Sequence, residues 1–242
     1  ARPRGAGQAV MGVLALRVWR LGLYLAFTAP LMLVQLAFVA LGSPLARSLP
    51  YHYHRACWRI LGFRVSTIGT PSRRGGTLFV VNHASYLDIT ILGGLIRGSF
   101  VAKTEVARWP FFGWLAKLQR TVFVERRART TARQRNALTE RLLKGDDLIL
   151  FPEGTSNDGK RLLPFKSALF SAAESADAEI PVQPVTVAYV GLDGLPLVWF
   201  LRPFVAWYGD MELAAHLWEF VGMGVVSPVS QILGSVGVVV YA

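Results

Sequence analysis

The sequence predicts an α/β fold: a mainly parallel sheet flanked by helices, preceded by an N-terminal membrane-embedded helical segment. Three observations lead there. Residues 21–46 carry no charge at all. Beyond residue 59, short apolar runs alternate with stretches of helical periodicity, the pattern of strand–helix–strand units that build parallel sheets. The composition is also apolar for a chain of this length, with 52% hydrophobic and 17% charged residues, against about a quarter charged in an ordinary soluble domain. On this reading residues 1–58 anchor the chain to a membrane and residues 59–242 form the α/β domain.

The uncharged N-terminal stretch would be about 39 Å long as one helix, against a hydrocarbon core of about 30 Å. Arg2, Arg4, Arg17 and Arg20 precede it, and Arg47, Arg55 and Arg59 follow it. With both flanks basic, the positive-inside rule selects no orientation. Pro30 lacks a backbone donor in mid-segment, which favours a break there. Two short helices that enter and leave one membrane face fit both facts; a kinked single span is the rival. A cleaved signal peptide fits less well, because the stretch is too long and no small-residue cleavage site follows it. A core helix of a soluble protein would keep a polar face, and none stands out. The segment 51–55, Tyr-His-Tyr-His-Arg, suits the headgroup region. His52 and His54 lie one residue apart with no acidic or thiol partner nearby, so they read as solvated histidines and not as metal ligands.

The remaining elements follow in order. Residues 77–81 read as a buried strand after the Gly75-Gly76 turn, 85–95 as a helix, 100–102 as a strand, 111–118 as a helix and 121–124 as a strand. Residues 129–143 form a helix with Leu138, Leu142 and Leu143 on its apolar side, closed by Gly145. A strand at 147–151, a helix at 166–176 and a strand at 182–189 complete the alternation. The tail 221–242 is uncharged; its glycines and Pro228 suggest an edge strand and a surface-docked end.

Charge narrows the partners. The net charge is +11, which favours an anionic partner, and combined with high apolar content it points to a lipid surface. A nucleic-acid binder would interleave aromatic with basic residues on one face; here the aromatics sit in apolar runs such as Trp-Pro-Phe-Phe-Gly-Trp at 109–114, so no nucleic acid is expected. The single cysteine, Cys57, excludes an internal disulfide and a multi-cysteine metal site. Neither a G-x-G-x-x-G nor a P-loop pattern is present, and no metal or cofactor is expected.

Chemistry-bearing residues concentrate just after strands, where open α/β sheets place their ligands. The first group is Asn82-His83-Ala84-Ser85-Tyr86-Leu87-Asp88. On one helix His83 and Asp88 would point about 140° apart. They meet only if His83 lies in the turn and Asp88 in the first helical turn, which Ser85 as N-cap would arrange. A carboxylate that holds an imidazole makes a general base; equally, Asp88 in a first turn complements the helix dipole. The spacing fits both readings. The second group is Phe151-Pro152-Glu153-Gly154-Thr155-Ser156, whose glycine lets the backbone turn towards an anion, with Arg161 and Lys166 following; alone it also reads as a surface loop.

Together these groups resemble the glycerolipid acyltransferases, the family of 1-acylglycerol-3-phosphate acyltransferase. Asn82-His83-x-Ser85-x-x-Asp88 is similar to the family's first motif and Phe151-Pro152-Glu153-Gly154-Thr155 to its third. Val122-Phe123-Val124-Glu125-Arg126 resembles the second, and Ile180-Pro181-Val182-Gln183-Pro184-Val185 the fourth; the four stand in order over residues 60–190. Arg120 departs from the pattern, where the family often carries glycine, and would add a cation to the acceptor site. The resemblance implies a membrane-bound O-acyltransferase with His83 and Asp88 as catalytic pair. Arg126, Glu153, Gly154 and Thr155 would hold the acceptor headgroup. The donor would be acyl-CoA or acyl carrier protein, which puts the catalytic domain on the cytoplasmic side of the inner membrane. The expected acceptor is a lysolipid, 1-acyl-sn-glycerol-3-phosphate giving phosphatidic acid. Lyso-ornithine lipid is the alternative, because the run from Glu153 to Ser167 is similar to that branch and Ser156 replaces a basic residue. A non-catalytic basic membrane-binding module is the alternative of another class.

Overall fold

The computed structural model describes residues 4–125, 131–166, 179–233 and 236–237. The chain opens with two packed helices, α1 (Arg4–Ala40) and α2 (Leu45–Leu61). Strand β1 (Ser66–Ile68) and strand β2 (Leu78–Val81) follow, then α3 (Leu87–Gly93), β3 (Ser99–Lys103), α4 (Phe112–Leu118), β4 (Val122–Val124), α5 (Thr131–Leu143) and β5 (Leu148–Leu150). The last part holds the long β6 (Pro181–Leu192), β7 (Leu195–Pro196), α6 (Leu213–Phe220), β8 (Val226–Ile232) and β9 (Val236–Gly237). The sheet order is β1-β8-β6-β2-β5-β3-β4. From β6 to β4 every pairing is parallel, and β8 runs antiparallel to β6. The expected α/β class, mainly parallel with flanking helices, holds.

Period-two alternation divides the core. Phe79 and Val81 of β2 and Ile149 of β5 face one side, with residues of α2, α3 and α6. Leu78, Val80, Leu148 and Leu150 face the other, where Leu138 and Leu142 of α5 cover them. Gly145, at φ +81°, ends α5 as expected, with Asp146 N–H returning to the Arg141 carbonyl.

Three expectations need correction. The chain does not break at Pro30: α1 passes through it, with Pro30 on the exposed side. Contacts on both sides of the proline hold the helix straight through, from Thr28 to Tyr53 and from Gln35 to Leu118. The chain turns instead at residues 41–44, where Gly42 takes φ +62°. Within the uncharged tail, β8 is not an edge strand, because it lies between β1 and β6. Pro228 is tolerated there because it sits beside a register shift at Tyr189/Gly191 of β6. His54 is not solvated: it is buried on α2 and bonded to Gln119, whereas His52 is exposed. The expected helix at 166–176 lies almost wholly outside the described residues.

α1 also carries a polar face. Arg17, Arg20, Tyr24, Thr28 and Gln35 recur at helical spacing and meet the rest of the chain. Arg17 pairs with Glu219, and Arg20 donates to the carbonyls of Val221, Met223 and Gly224. Tyr24 and Thr28 bond to the Tyr53 hydroxyl. Gln35 donates to the carbonyls of Ala46 and Leu118. These contacts run along about 27 Å of helix. The far side is apolar and exposed, including Met11, Val18, Trp19, Leu33 and Leu36. Gly62 ends α2 at φ +79°, a conformation that favours glycine, and a Cβ there would meet the Arg20 guanidinium.

Candidate active site

β2 runs between β5 and β6, and the turn after it is fixed from both sides. Asn82 bridges to β6: its amide donates to the Val187 carbonyl (3.0 Å) and its oxygen accepts the Val187 N–H (2.8 Å). His83 is held by the loop after β5, with its N–H on Glu153 Oε1 (2.9 Å) and its carbonyl accepting the Asn157 N–H (3.1 Å). The Ala84 carbonyl accepts the Trp207 N–H at 2.8 Å. Three distant segments therefore set one turn.

Within it, His83 and Asp88 meet. Nδ1 lies 2.9 Å from Asp88 Oδ2. The same oxygen accepts the N–H groups of Ala84 (2.8 Å) and Ser85 (2.9 Å). Oδ1 accepts the Tyr189 hydroxyl at 2.7 Å. Asp88 is fully buried, and this set of donors answers both of its oxygens. Ser85 stands one residue before the N-cap position of α3, which Tyr86 takes, and its Oγ accepts the Leu87 N–H at 3.3 Å. Asp88, in the first turn of α3, folds back over the start of the helix. As acceptor of Nδ1–H, the carboxylate leaves the Nε2 lone pair free, which is the state a general base requires. The imidazole stacks on Phe151 with centroids 4.0 Å apart, which fixes its plane. Burial, and then the charge of Asp88, push the Tyr189 pKa well up, so the phenol stays protonated as a donor.

Glu153 sits elsewhere than expected. Its carboxylate is buried and turned to protein: Oε1 to His83 N–H, and Oε2 to Asn157 Nδ2 (2.5 Å) and Leu163 N–H (2.9 Å). Gly154 takes φ +66° beneath the Lys166 side chain, and Thr155 is exposed at the loop tip. Arg126 lies outside the described residues. Tyr189, Asn157 and Trp207 have no counterpart among the residues chosen from sequence. Their signal is tertiary: Tyr189 stands 101 positions from Asp88.

Arg120 does not add a cation to this site. It adopts φ +60°, the conformation that explains glycine at this position in the family pattern. Its guanidinium meets Asp146 (2.9 Å), just before β5, at the opposite end of the parallel strands from His83. Arg141 and Arg47 pair with the same carboxylate. Burial raises the Asp146 pKa, but Arg141 and Arg120 outweigh it, so the net shift is downward from 3.8. A depressed folded value means the stabilisation is complete above the ordinary value and lost as pH falls through the folded one. We expect Asp146→Ala to cost on the order of 2–4 kcal/mol in denaturant unfolding at pH 7. The difference from wild type should shrink below about pH 4; equal stability at pH 7 would contradict the assignment.

Comparison with known proteins agrees in extent and kind. The family model described as Acyltransferase matches residues 63–188. A lyso-ornithine lipid O-acyltransferase of Brucella abortus is 44% identical over 198 residues, 79% of this chain and 74% of that protein. One from Rhizobium meliloti is 45% identical over 193 residues, 77% and 66% of the two chains. The chain thus spans roughly two thirds to three quarters of these relatives. A 1-acyl-sn-glycerol-3-phosphate acyltransferase of Neisseria gonorrhoeae is 36% identical over 154 residues, 63% of this chain and 57% of that one. The crystal structure of a 1-acyl-sn-glycerophosphate acyltransferase from Thermotoga maritima shares the fold, with TM-score 0.61 at 20% identity, covering 95% of this chain and 86% of that one. With a family match over half its length and a relative this similar over four fifths of it, the chain belongs to the acyltransferase family.

Proposed function

We propose that this protein transfers a fatty acyl group from a thioester, acyl-CoA or acyl carrier protein, to the free hydroxyl of a lysolipid. The observation that carries the reading is the His83–Asp88 pair, whose Nε2 is left open. The acceptor hydroxyl gives its proton to Nε2 while its oxygen attacks the thioester carbonyl. The tetrahedral intermediate collapses, the C–S bond breaks, and the leaving thiolate takes the proton back from His83. Asp88 stabilises the imidazolium in between. Arg126 and the backbone at Gly154 and Thr155 hold the acceptor headgroup, because a guanidinium engages carboxylate or phosphate at two points. Glu153 positions His83.

Lyso-ornithine lipid is the acceptor we propose. The two relatives of that name are 44% and 45% identical, against 36% for the 1-acyl-sn-glycerol-3-phosphate enzyme of Neisseria gonorrhoeae. The run from Glu153 onward supports the same branch. Initial rates of purified protein with lyso-ornithine lipid and lysophosphatidic acid, side by side, test this; a preference for the phosphate compound would reverse the choice.

We propose further that α1 lies in one leaflet of the inner membrane with the catalytic domain on the cytoplasmic side. Its polar face bonds to α2 and the domain along about half of its length, which leaves its apolar side for lipid. An impermeant thiol reagent outside intact cells is expected to label neither a cysteine at Arg4 nor one at Arg47, with Cys57 replaced. Labelling at one end only would establish a full span.

A further inference from the structure

The two oxygens of Asp88 are held by different parts of the chain. Oδ2 takes its donors from the reactive turn itself: His83 Nδ1 and the N–H groups of Ala84 and Ser85. Oδ1 takes a single donor among the described residues, the Tyr189 hydroxyl at 2.7 Å. That donor comes from β6, and its arrival can be followed along the strand. Val81, the last residue of β2, pairs with Val185. Asn82 carries the pairing one step further with its side chain, since its carboxamide both donates to and accepts from the Val187 backbone. Val185, Val187 and Tyr189 share one face of β6 by period-two alternation. The Tyr189 ring packs on the core cluster beneath that face. Two residues beyond the Asn82 clamp, about 7 Å along the strand, its hydroxyl meets Asp88.

This division matters for a carboxylate that must hold an imidazole. Rotation about the Cβ–Cγ bond of aspartate is soft, and either oxygen can accept from Nδ1. Donors on Oδ2 alone would fix one point of the group. The phenol on Oδ1 fixes a second, and with it the plane of the carboxylate. Burial and the charge of Asp88 keep the phenol protonated, so it remains a donor. If packing were its whole task, the ring would suffice and no hydroxyl would be called for at this place.

We propose that Tyr189 is a positioning residue for the transfer reaction: its hydroxyl locks the plane of the Asp88 carboxylate, so that Oδ2 faces His83 Nδ1 and Nε2 is held ready for the acceptor hydroxyl. The inference rests on the acyltransferase reading above and deepens it. The test is Tyr189→Phe in the full-length protein, which removes the hydroxyl and keeps the ring. We expect kcat to fall about tenfold or more, because a small misplacement of a reacting group is costly. KM for the thioester and for the lysolipid should stay unchanged, because in this role the phenol touches neither. In the Asp88→Asn background, followed with a radiolabelled donor, the same substitution should change the rate by less than about twofold, since residues that act through one another are not additive. Thermal unfolding shows whether each variant is folded at the assay temperature. A loss of equal size in both backgrounds, or one that follows unfolding of the variant, assigns the phenol to the fold alone and overturns the proposal. A raised KM with kcat retained overturns it too, by making Tyr189 a substrate contact. Normal turnover by Tyr189→Phe beside an inactive His83→Ala overturns it and leaves the acyltransferase reading standing. No transfer by the wild-type protein from any donor overturns both.

Discussion

His83→Ala is expected to lower acyl transfer by on the order of 10²–10⁴, the contribution typical of a positioned general base. The loss should appear in kcat, because the substitution removes the proton acceptor we propose and leaves the loop around Glu153 in place. Stability should change little. The ring is partly solvent-exposed, and the turn is held by the backbone of residues 83–85 and by Asn82. Asp88→Asn is expected to be comparably severe for a different reason. Asp88 Oδ2 accepts from His83 Nδ1 and from two backbone N–H groups. An amide nitrogen there would face donors; an amide oxygen there would leave the nitrogen facing the Tyr189 hydroxyl. Either way the proton on Nδ1 is less securely fixed and Nε2 less available. Circular dichroism and radiolabelled acyl transfer on the same preparations check both; near-normal turnover by His83→Ala would exclude the mechanism.

Glu153→Ala should have the second largest effect, and it should be mixed. The side chain touches no substrate in our assignment; it joins the His83 turn to residues 157 and 163. Its removal leaves three buried or part-buried donors unanswered, at about 1–3 kcal/mol each. We expect a fall of several kcal/mol in unfolding free energy and a drop in kcat of on the order of 10²-fold, since a small displacement of a reacting group is costly. Glu153→Gln is the sharper probe. It keeps volume and one oxygen, but sets an NH₂ against donors on one side. If Glu153 instead held the acceptor headgroup directly, the change would appear mainly in KM for the lysolipid, with stability unaltered.

The parts of this protein legible in its sequence are those whose causes are local. The strands of the parallel sheet are short apolar runs, and the turn-to-helix placement of His83 and Asp88 follows from five positions of spacing. The polar face of α1 was also written locally, at Arg17, Arg20, Tyr24, Thr28 and Gln35. It is diluted in a helix apolar on every other side, so average hydropathy conceals it. Pro30 misled because a proline breaks a helix only when tertiary contacts do not hold both halves. His54 misled because a histidine in a basic segment is ordinarily wet, and its burial depends on Gln119, 65 positions away. Tyr189, Asn157 and Trp207 depend on strand order, which no short window contains. Glu153 was found by its motif, but the donors its two oxygens meet, at residues 83, 157 and 163, are set by the tertiary fold.

The cavity of about 200 Å³ that the α1–α2 hairpin shares with the domain bears on how the protein can be handled in water. Leu21, Leu31 and Met32 of α1 and Leu49 and Tyr53 of α2 make one side of it, and β3, α3, α4 and α6 make the other. Cutting the hairpin away to obtain a detergent-free fragment would thus strip this cavity of a large part of its lining and expose the apolar face beneath. The route to a soluble form is repainting: polar replacements confined to Met11, Val18, Trp19, Leu33 and Leu36, which project outward, with the inward stripe from Arg17 to Gln35 untouched. The hairpin is thus a wall of the cavity through one set of side chains, and it meets the surroundings through another.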